Sequence, residues 1–113
     1  MKFYGLKTCD TCRKAQKVLR MAGVEFDVID VRTNGIDADK LLEWVNTTDW
    51  KILLNTRSTT WRNLNSRDKD NVDQSKAIAL MATHPTLIKR PVIERSDKIT
   101  VGWSKDVIAQ YLN

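Results

Sequence analysis

Apolar positions along this chain switch between short β-type runs and helical stripes. Lys2 to Leu6 is a short apolar segment with Gly5 near its end, as expected of a first strand. Beyond it, Ala15, Val18, Leu19 and Ala22 recur at i, i+3, i+4 and i+7, which is one face of a helix. Arg13, Lys14, Lys17 and Arg20 cover much of the remaining surface of that helix, and Gly23 supplies a C-terminal stop. Val24 to Val31, rich in β-branched residues, reads as a second strand. Strand, helix, strand in this order is a βαβ unit, whose strands are expected to run parallel.

The middle of the chain is helical and polar. Asp37 to Trp50 reads as a helix carrying Leu41, Leu42 and Val45, started by Asp37 or the residues just before it. Thr56 to Asn65 lacks apolar periodicity and is expected to be irregular, with a short helical turn. Gln74 to Thr83 predicts another helix, with Ala77, Leu80, Met81 and His84 on one face and Pro85 beyond it. After Arg90-Pro91, the runs Val92 to Arg95 and Ile99 to Gly102 form a hairpin about Ser96-Asp97-Lys98. Ser104 can cap a last helix carrying Val107, Ile108, Tyr111 and Leu112. The order β-α-β, inserted helices, β-β-α is that of the thioredoxin fold. The expectation is therefore an α/β, thioredoxin-like fold with a four-stranded mixed sheet. It forms one domain, with a core of about residues 1–31 and 85–113 and a helical insertion of about 32–84.

Composition narrows the class. The chain has 113 residues, one domain's worth, and should bury roughly two-thirds of the surface it exposes when unfolded. Its longest purely apolar run, Ala77 to Ala82, is far short of the ~18 residues a spanning helix needs, so no membrane association is expected. The segment Met1 to Lys7 has too few apolar residues for a signal peptide, which points to the cytoplasm, where thiols stay reduced. Net charge is +5, but basic and acidic residues are interspersed and no Lys/Arg block stands out. Direct nucleic-acid binding is not expected.

The two cysteines, Cys9 and Cys12, are spaced C-x-x-C at the predicted junction of strand and helix. Unpaired backbone N–H groups and the positive end of the helix dipole converge there. A thiolate is the nucleophilic form, and an ordinary thiol ionises near ~8.5, so this position can activate one. Cys9 is expected to be the acidified nucleophile and Cys12, in the first helical turn, its resolving partner. Arg13 and Lys14 add to the field at Cys9 while Asp10 opposes it. A zinc site needs four ligands, and Cys12, Cys9, the single His84 and carboxylates make a poor set without a second C-x-x-C. No metal is expected.

Arg90-Pro91 stands where thioredoxin-like folds carry a cis-proline beside the nucleophilic cysteine, and X–Pro is the one bond type for which cis is accessible. Arg90 would then face Cys9, where a guanidinium can grip an oxyanion and stabilise the thiolate. Arg57, beside Ser58, Thr59 and Thr60, suits either anion binding or a solvated loop. His84 reads as packed or exposed rather than catalytic. Trp44, Trp50, Trp61 and Trp103 read as core or groove lining, since no interleaved basic strand makes a base-stacking platform.

Three stretches carry a resemblance. Cys9-Asp10-Thr11-Cys12-Arg13-Lys14-Ala15, then Leu54-Asn55-Thr56-Arg57 with Thr59-Thr60-Trp61-Arg62, then Ile88-Lys89-Arg90-Pro91 resemble the arsenate reductase (ArsC) family over the whole length. The Leu-Asn-Thr-Arg and Thr-Thr-Trp-Arg words are most similar to its YffB-like branch, and the C-x-x-C to the Spx regulators, which bind RNA polymerase and sense disulfide stress. The resemblance implies a thioredoxin-like core with a helical insertion. It also implies thiol reduction coupled to glutathione, or to thioredoxin or glutaredoxin. Carried over, the nucleophile falls on Cys9, the second cysteine on Cys12, and the arginine before the cis-proline on Arg90. From the residues of this chain, Thr11, Arg13, Arg57 and Pro91 are the candidate substrate-binding positions. Lys98 to Trp103 offers none of the late arginine of true arsenate enzymes, and their middle arginine aligns nearer Asn55 than Arg57. Thr47 to Asn55 lacks the polymerase-contacting glycine of Spx proteins.

The first expectation is thus a monomeric thiol-dependent reductase of a small oxidised or anionic substrate, with no bound cofactor and glutathione as co-substrate. A redox-sensing regulator that binds RNA polymerase is the alternative, and arsenate reduction the second.

Overall fold

The computed structural model describes residues 1–112. The chain divides into two compact units, residues 1–31 with the chain from Arg90 onward, and residues 32–89. Residues 85–89, placed by the sequence with the core, group with the inserted unit. The reason is backbone pairing: Leu87 and Leu53 carbonyls accept from Asn55 and Lys89 N–H groups at 2.8 Å, and Leu54 bridges Ile88.

The first unit is built on a four-stranded sheet. Strands β1 (Lys2–Gly5) and β2 (Asp27–Asp30) pair in parallel, while β3 (Val92–Arg95) lies antiparallel to β1 and to β4 (Lys98–Val101). The spatial order is β2-β1-β3-β4. Helix α1 (Asp10–Met21) connects the parallel pair and buries Cys12, Ala15 and Leu19 with Phe3 and Ile93. This is the mixed-sheet thioredoxin-like fold that the element order predicted. The second strand is shorter than its β-branched run, because Val24 is used in closing α1. Gly23 adopts φ +78° while its N–H and that of Val24 return to the Arg20 and Leu19 carbonyls at 3.0 Å. The hairpin loop is also tighter than expected. Lys98 pairs with Arg95, leaving Ser96 and Asp97 to turn, with Ser96 at φ +57°. The last helix of the fold, over Lys105–Leu112, starts from Ser104, whose Oγ accepts from the Val107 N–H.

The inserted unit comprises α2 (Ala38–Thr47), α3 (Trp50–Leu53), α4 (Thr59–Asn63), α5 (Ser66–Lys69), α6 (Gln74–Thr83) and a 3₁₀ turn at Pro85–Leu87; the helix over Lys105–Leu112 is then α7. The long helix expected over Asp37 to Trp50 divides. Asp37 caps α2, Thr48 leaves helical geometry at φ −133°, and Asp49 caps a new turn by accepting from the Lys51 N–H. The polar segment Thr56 to Asn65 holds the one short helix expected there, α4, capped by Ser58, and a further turn, α5, follows beyond it, capped by Asn65. Helix α6 spans the predicted residues. Leu41, Trp44, Leu53, Ala77, Met81, Leu87 and Ile88 are buried. Among the described residues no helix is long and apolar enough to cross a membrane.

Candidate active site

The end of β1 and the start of α1 deliver the cysteine pair. After Gly5 the chain turns so that the Cys9 N–H returns to the Leu6 carbonyl at 3.2 Å. The turn is held from the side by Asp30, a buried acid whose Oδ2 accepts the Lys7 N–H at 2.9 Å. Cys9 then sits at the N-cap of α1 in extended geometry, φ −86° and ψ 117°, with its carbonyl accepting the first helical bond from Arg13.

Three residues on, one turn brings Cys12 beneath Cys9 and into the core, where it is fully buried while Cys9 is half-buried. Gly5 makes room for it. A Cβ on Gly5 would lie 2.8 Å from the Cys12 Sγ, closer than real Cβ contacts come, and a tight 3.0 Å from the Phe3 ring. The glycine is thus needed for the close approach of α1 to β1, not for its backbone angles.

From the segment that enters β3, the strand paired beside β1, comes Arg90, half-buried with its Nε shielded from solvent. The Arg90-Pro91 bond is cis, and Pro91 is buried with its carbonyl accepting from Gly102 at 2.9 Å. The structure thus brings Cys9, Cys12, Arg90 and Pro91 together within one unit.

The two thiols are driven apart in acidity. Burial pushes the Cys9 thiol up, but the Cys12 backbone N–H, the Cys12 thiol and the Arg90 guanidinium all hydrogen-bond its sulfur, and the arginine adds its charge. The outcome is a Cys9 that ionises below the ordinary thiol value. As a neutral thiol Cys9 makes no side-chain cap bond to α1; as a thiolate its sulfur becomes the acceptor. Cys12 moves the other way and is pushed up to about 12. Burial is the largest cause, and the hydrogen bond to Cys9 and its negative charge add to it. A backbone hydrogen bond from Leu6 and the Arg90 charge oppose the rise without cancelling it. Arg90, far along the chain, acts on Cys9 more than the local cations do. Arg13 is exposed and paired with Asp10, so the two local charges largely satisfy each other.

The remaining sequence-derived positions sit as follows. Thr11 is exposed in the first turn of α1. Arg57 is exposed just before α4 in the inserted unit, its N–H bonded to the Asn55 Oδ1 at 3.1 Å. His84 is half-buried at the C-cap of α6. Trp44 is buried in its unit, and Trp103 packs on the core of the first unit and stacks on Tyr111. Sequence reasoning overlooked Gly5 and Asp30. A glycine just before the thiol loop and an acid inside the apolar run Val28-Ile29-Asp30-Val31 were the signals available. Both cysteines are free, and among the described residues no three His, Cys, Asp or Glu side chains gather as a metal set.

A thiol activated at a helix N-terminus, backed by a buried thiol and an arginine–cis-proline segment on a mixed sheet, defines a thioredoxin-fold thiol protein. The family model described as "ArsC family" matches residues 4–111, and the chain belongs to that family. An uncharacterized protein of Haemophilus influenzae is 40% identical over 102 residues, 90% of each chain. The global transcriptional regulator Spx of Streptococcus mutans is 29% identical over 93% of this chain and 77% of its own. A solved structure described as YFFB (PA3664) protein superposes with a TM-score of 0.93 at 38% identity, covering 99% of this chain and 98% of the other.

Proposed function

We propose that this protein is a thiol-dependent reductase with Cys9 as nucleophile and glutathione, or a thioredoxin- or glutaredoxin-type dithiol, as reductant. It acts as a monomer in the reducing cytoplasm on a small oxidised or anionic substrate. The observation that carries this reading is the opposed acidity of the pair: a lowered Cys9 thiol held by Arg90, over a buried Cys12 raised to about 12.

The Cys9 thiolate attacks a disulfide of the substrate, forming a mixed disulfide and releasing one substrate thiolate, which takes a proton from solvent. While Cys9 is ionised, Cys12 stays protonated and donates to it. Once Cys9 is bonded to sulfur, its charge and acceptor no longer add to the hold on the Cys12 proton; burial, the larger cause, remains, so Cys12 gives up its proton to the departing second thiolate as it attacks. Its sulfur bonds to the Cys9 sulfur, expels the second substrate thiol and leaves a Cys9–Cys12 disulfide. Two glutathione thiols then reduce that disulfide and are themselves oxidised to one glutathione disulfide. Thr11 and Arg13 are proposed anion contacts, and Pro91 a wall beside the thiol.

The test is mass spectrometry of the protein after exposure to glutathione disulfide, with turnover of a small disulfide followed in parallel. A glutathione adduct on Cys9, and loss of turnover in Cys9→Ser, are expected; turnover surviving that change overturns the mechanism. Arg90→Met should shift the pH profile of Cys9 alkylation upward and slow turnover several-fold at neutral pH. An unshifted profile removes Arg90 from the site.

A second reading, a redox-switched regulator, has support from the Spx relatives and the free C-x-x-C. Stoichiometric capture of the C-terminal domain of RNA polymerase α by the purified protein would favour it over the enzyme.

A further inference from the structure

Helix α1 carries a feature that the thiol chemistry does not use. Arg13, Lys14, Lys17 and Arg20 are all exposed. At roughly 100° per residue they fall within roughly 120° of arc on one side of the helix, together with Asp10 and Met21. The other side buries Cys12, Ala15 and Leu19. Asp10 pairs with Arg13, and Arg20 lies 5.1 Å over the Phe26 ring and 3.2 Å from the Gln16 Oε1. Among the described residues, Lys14 and Lys17 meet no carboxylate.

This arrangement works against the helix. Lys17 is four residues from Arg13 and three from Lys14 and Arg20, and like charges at these spacings repel. Arg13 and Lys14 also lie in the half of α1 where the macrodipole favours anions. Helix α2, by contrast, pairs Lys40 with Glu43 at 3.1 Å. Like-charge spacings that oppose stability, centred on Lys14 and Lys17 with no carboxylate to offset them, mark a surface kept for something outside the protein. Met21, 80% exposed, closes the stripe with a soft, adaptable apolar contact. The other end of the stripe is one turn from Cys9.

We propose that this cationic face docks an acidic polypeptide whose disulfide is presented to Cys9, so that the substrate class extends to acidic protein or peptide disulfides. The proposal rests on Cys9 being the reductase nucleophile. The face suits a short acidic segment better than a nucleic acid. A duplex offers one phosphate per ~1.7 Å of axis, many more charges along the ~18 Å of α1 than four cations can meet, and no further basic block extends the stripe. In the reaction, the Cys9 thiolate attacks the glutathione sulfur of a peptide–glutathione disulfide. The peptide leaves as thiolate and takes a proton from solvent. A second glutathione thiolate then attacks the Cys9–glutathione disulfide, restoring the Cys9 thiolate and releasing glutathione disulfide.

The test compares two synthetic peptide–glutathione disulfides, one rich in Asp and Glu and one neutral, with a small disulfide as reference. Wild type and Lys14→Gln/Lys17→Gln are assayed at low and high salt. Charge steering of this kind raises association about tenfold or more, so the wild type should favour the acidic peptide by about tenfold in kcat/KM at low salt. High salt and the double variant should each collapse that preference, while turnover of the small disulfide relative to the neutral peptide stays unchanged. Equal use of both peptides, or a preference that survives in the variant, overturns the docking face.

Binding is measured separately with the acidic peptide carrying serine for cysteine. If no disulfide is reduced but this peptide still binds through Lys14 and Lys17, the reductase reading fails and the docking face stands. If the small disulfide is reduced but the peptide does not bind, the reverse holds. Tighter binding of a double-stranded oligonucleotide than of the peptide also overturns the proposal. Finally, Lys17→Glu should raise the melting temperature by relieving the repulsion while weakening peptide binding, a pairing that a merely structural lysine does not produce.

Discussion

The two units begin their helices differently. In the inserted unit Asp37, Asp49, Ser58, Asn65 and Asp73 each place a side-chain oxygen on a backbone N–H of the first turn, at 2.8 to 3.1 Å. In the thioredoxin-like unit α7 does the same through Ser104. Among the described α-helices, α1 alone begins without an oxygen cap, and the residue at its N-cap is Cys9. An oxygen cap at that position would take the Cys12 N–H in the way Asp37 takes the Lys40 N–H. Leaving it to sulfur withholds a stabilising bond from the thiol state and gives it to the thiolate. The same local motif therefore serves stability in one unit and acidity in the other.

Cys9→Ser separates the two roles most sharply. Reductase turnover should vanish, yet at a pH low enough to keep the Cys9 thiol protonated the serine hydroxyl should supply the missing cap and stabilise α1 by about 0.5–1 kcal/mol, read as a rise in melting temperature. A fall in melting temperature would break the comparison.

Next in size is the alkaline limb of stability. Cys12 has a folded-state pKa of about 12 against 9.0 for an ordinary thiol. Its stabilising contribution is fully present below pH 9 and is lost as pH rises from about 9 to about 12, because the unfolded chain gives up that proton first. The loss is on the order of a few kcal/mol at its limit. Cys9, lowered when folded, has the opposite sign: its contribution is present above pH 9 and fades as pH falls through its folded value. Cys12→Ala should flatten the alkaline limb in a chemical-denaturation series. A limb unchanged by that substitution argues against the buried protonated thiol.

Gly5→Ala comes third. Its Cβ collides with the Cys12 Sγ, and overpacking of this kind costs about 1–3 kcal/mol. Adding Cys12→Ala should return much of that loss, because the sulfur is the nearest obstruction. No recovery would mean that Gly5 answers to something other than the thiol.

The smallest effect belongs to an ordinary cap. Asp37→Ala should cost about 1 kcal/mol and leave the Cys9 alkylation profile in place. A shifted profile would show that the inserted unit is coupled to the thiol.

Legibility followed the range of the interaction. Helix α6 and the caps Asp37 and Ser104 were readable, because a helix boundary is decided by neighbours a few residues apart. The split between α2 and α3 was missed because Leu41, Leu42 and Val45 set a helical period that Thr48 and Asp49 interrupt without a proline or glycine to announce it. Helix α5 carries no buried residue, so no apolar stripe marked it. At the site, the spacing of Cys9 and Cys12 and their place at a strand–helix junction were plain. The influence of Arg13 was overestimated, since its charge is met by Asp10.

By itself the sequence determined the order of elements, the pair of thiols and the helix terminus that receives them. Each follows from local periodicity, spacing and backbone geometry. Tertiary structure decided how far the two thiols diverge in acidity. That outcome depends on the burial of Cys12 behind Gly5, on the loop held by Asp30, and on a guanidinium brought by Arg90 from the neighbouring strand's entry. A thiol's acidity is set by the solvent it loses and the charges it meets in space, and neither is written within any local stretch of chain.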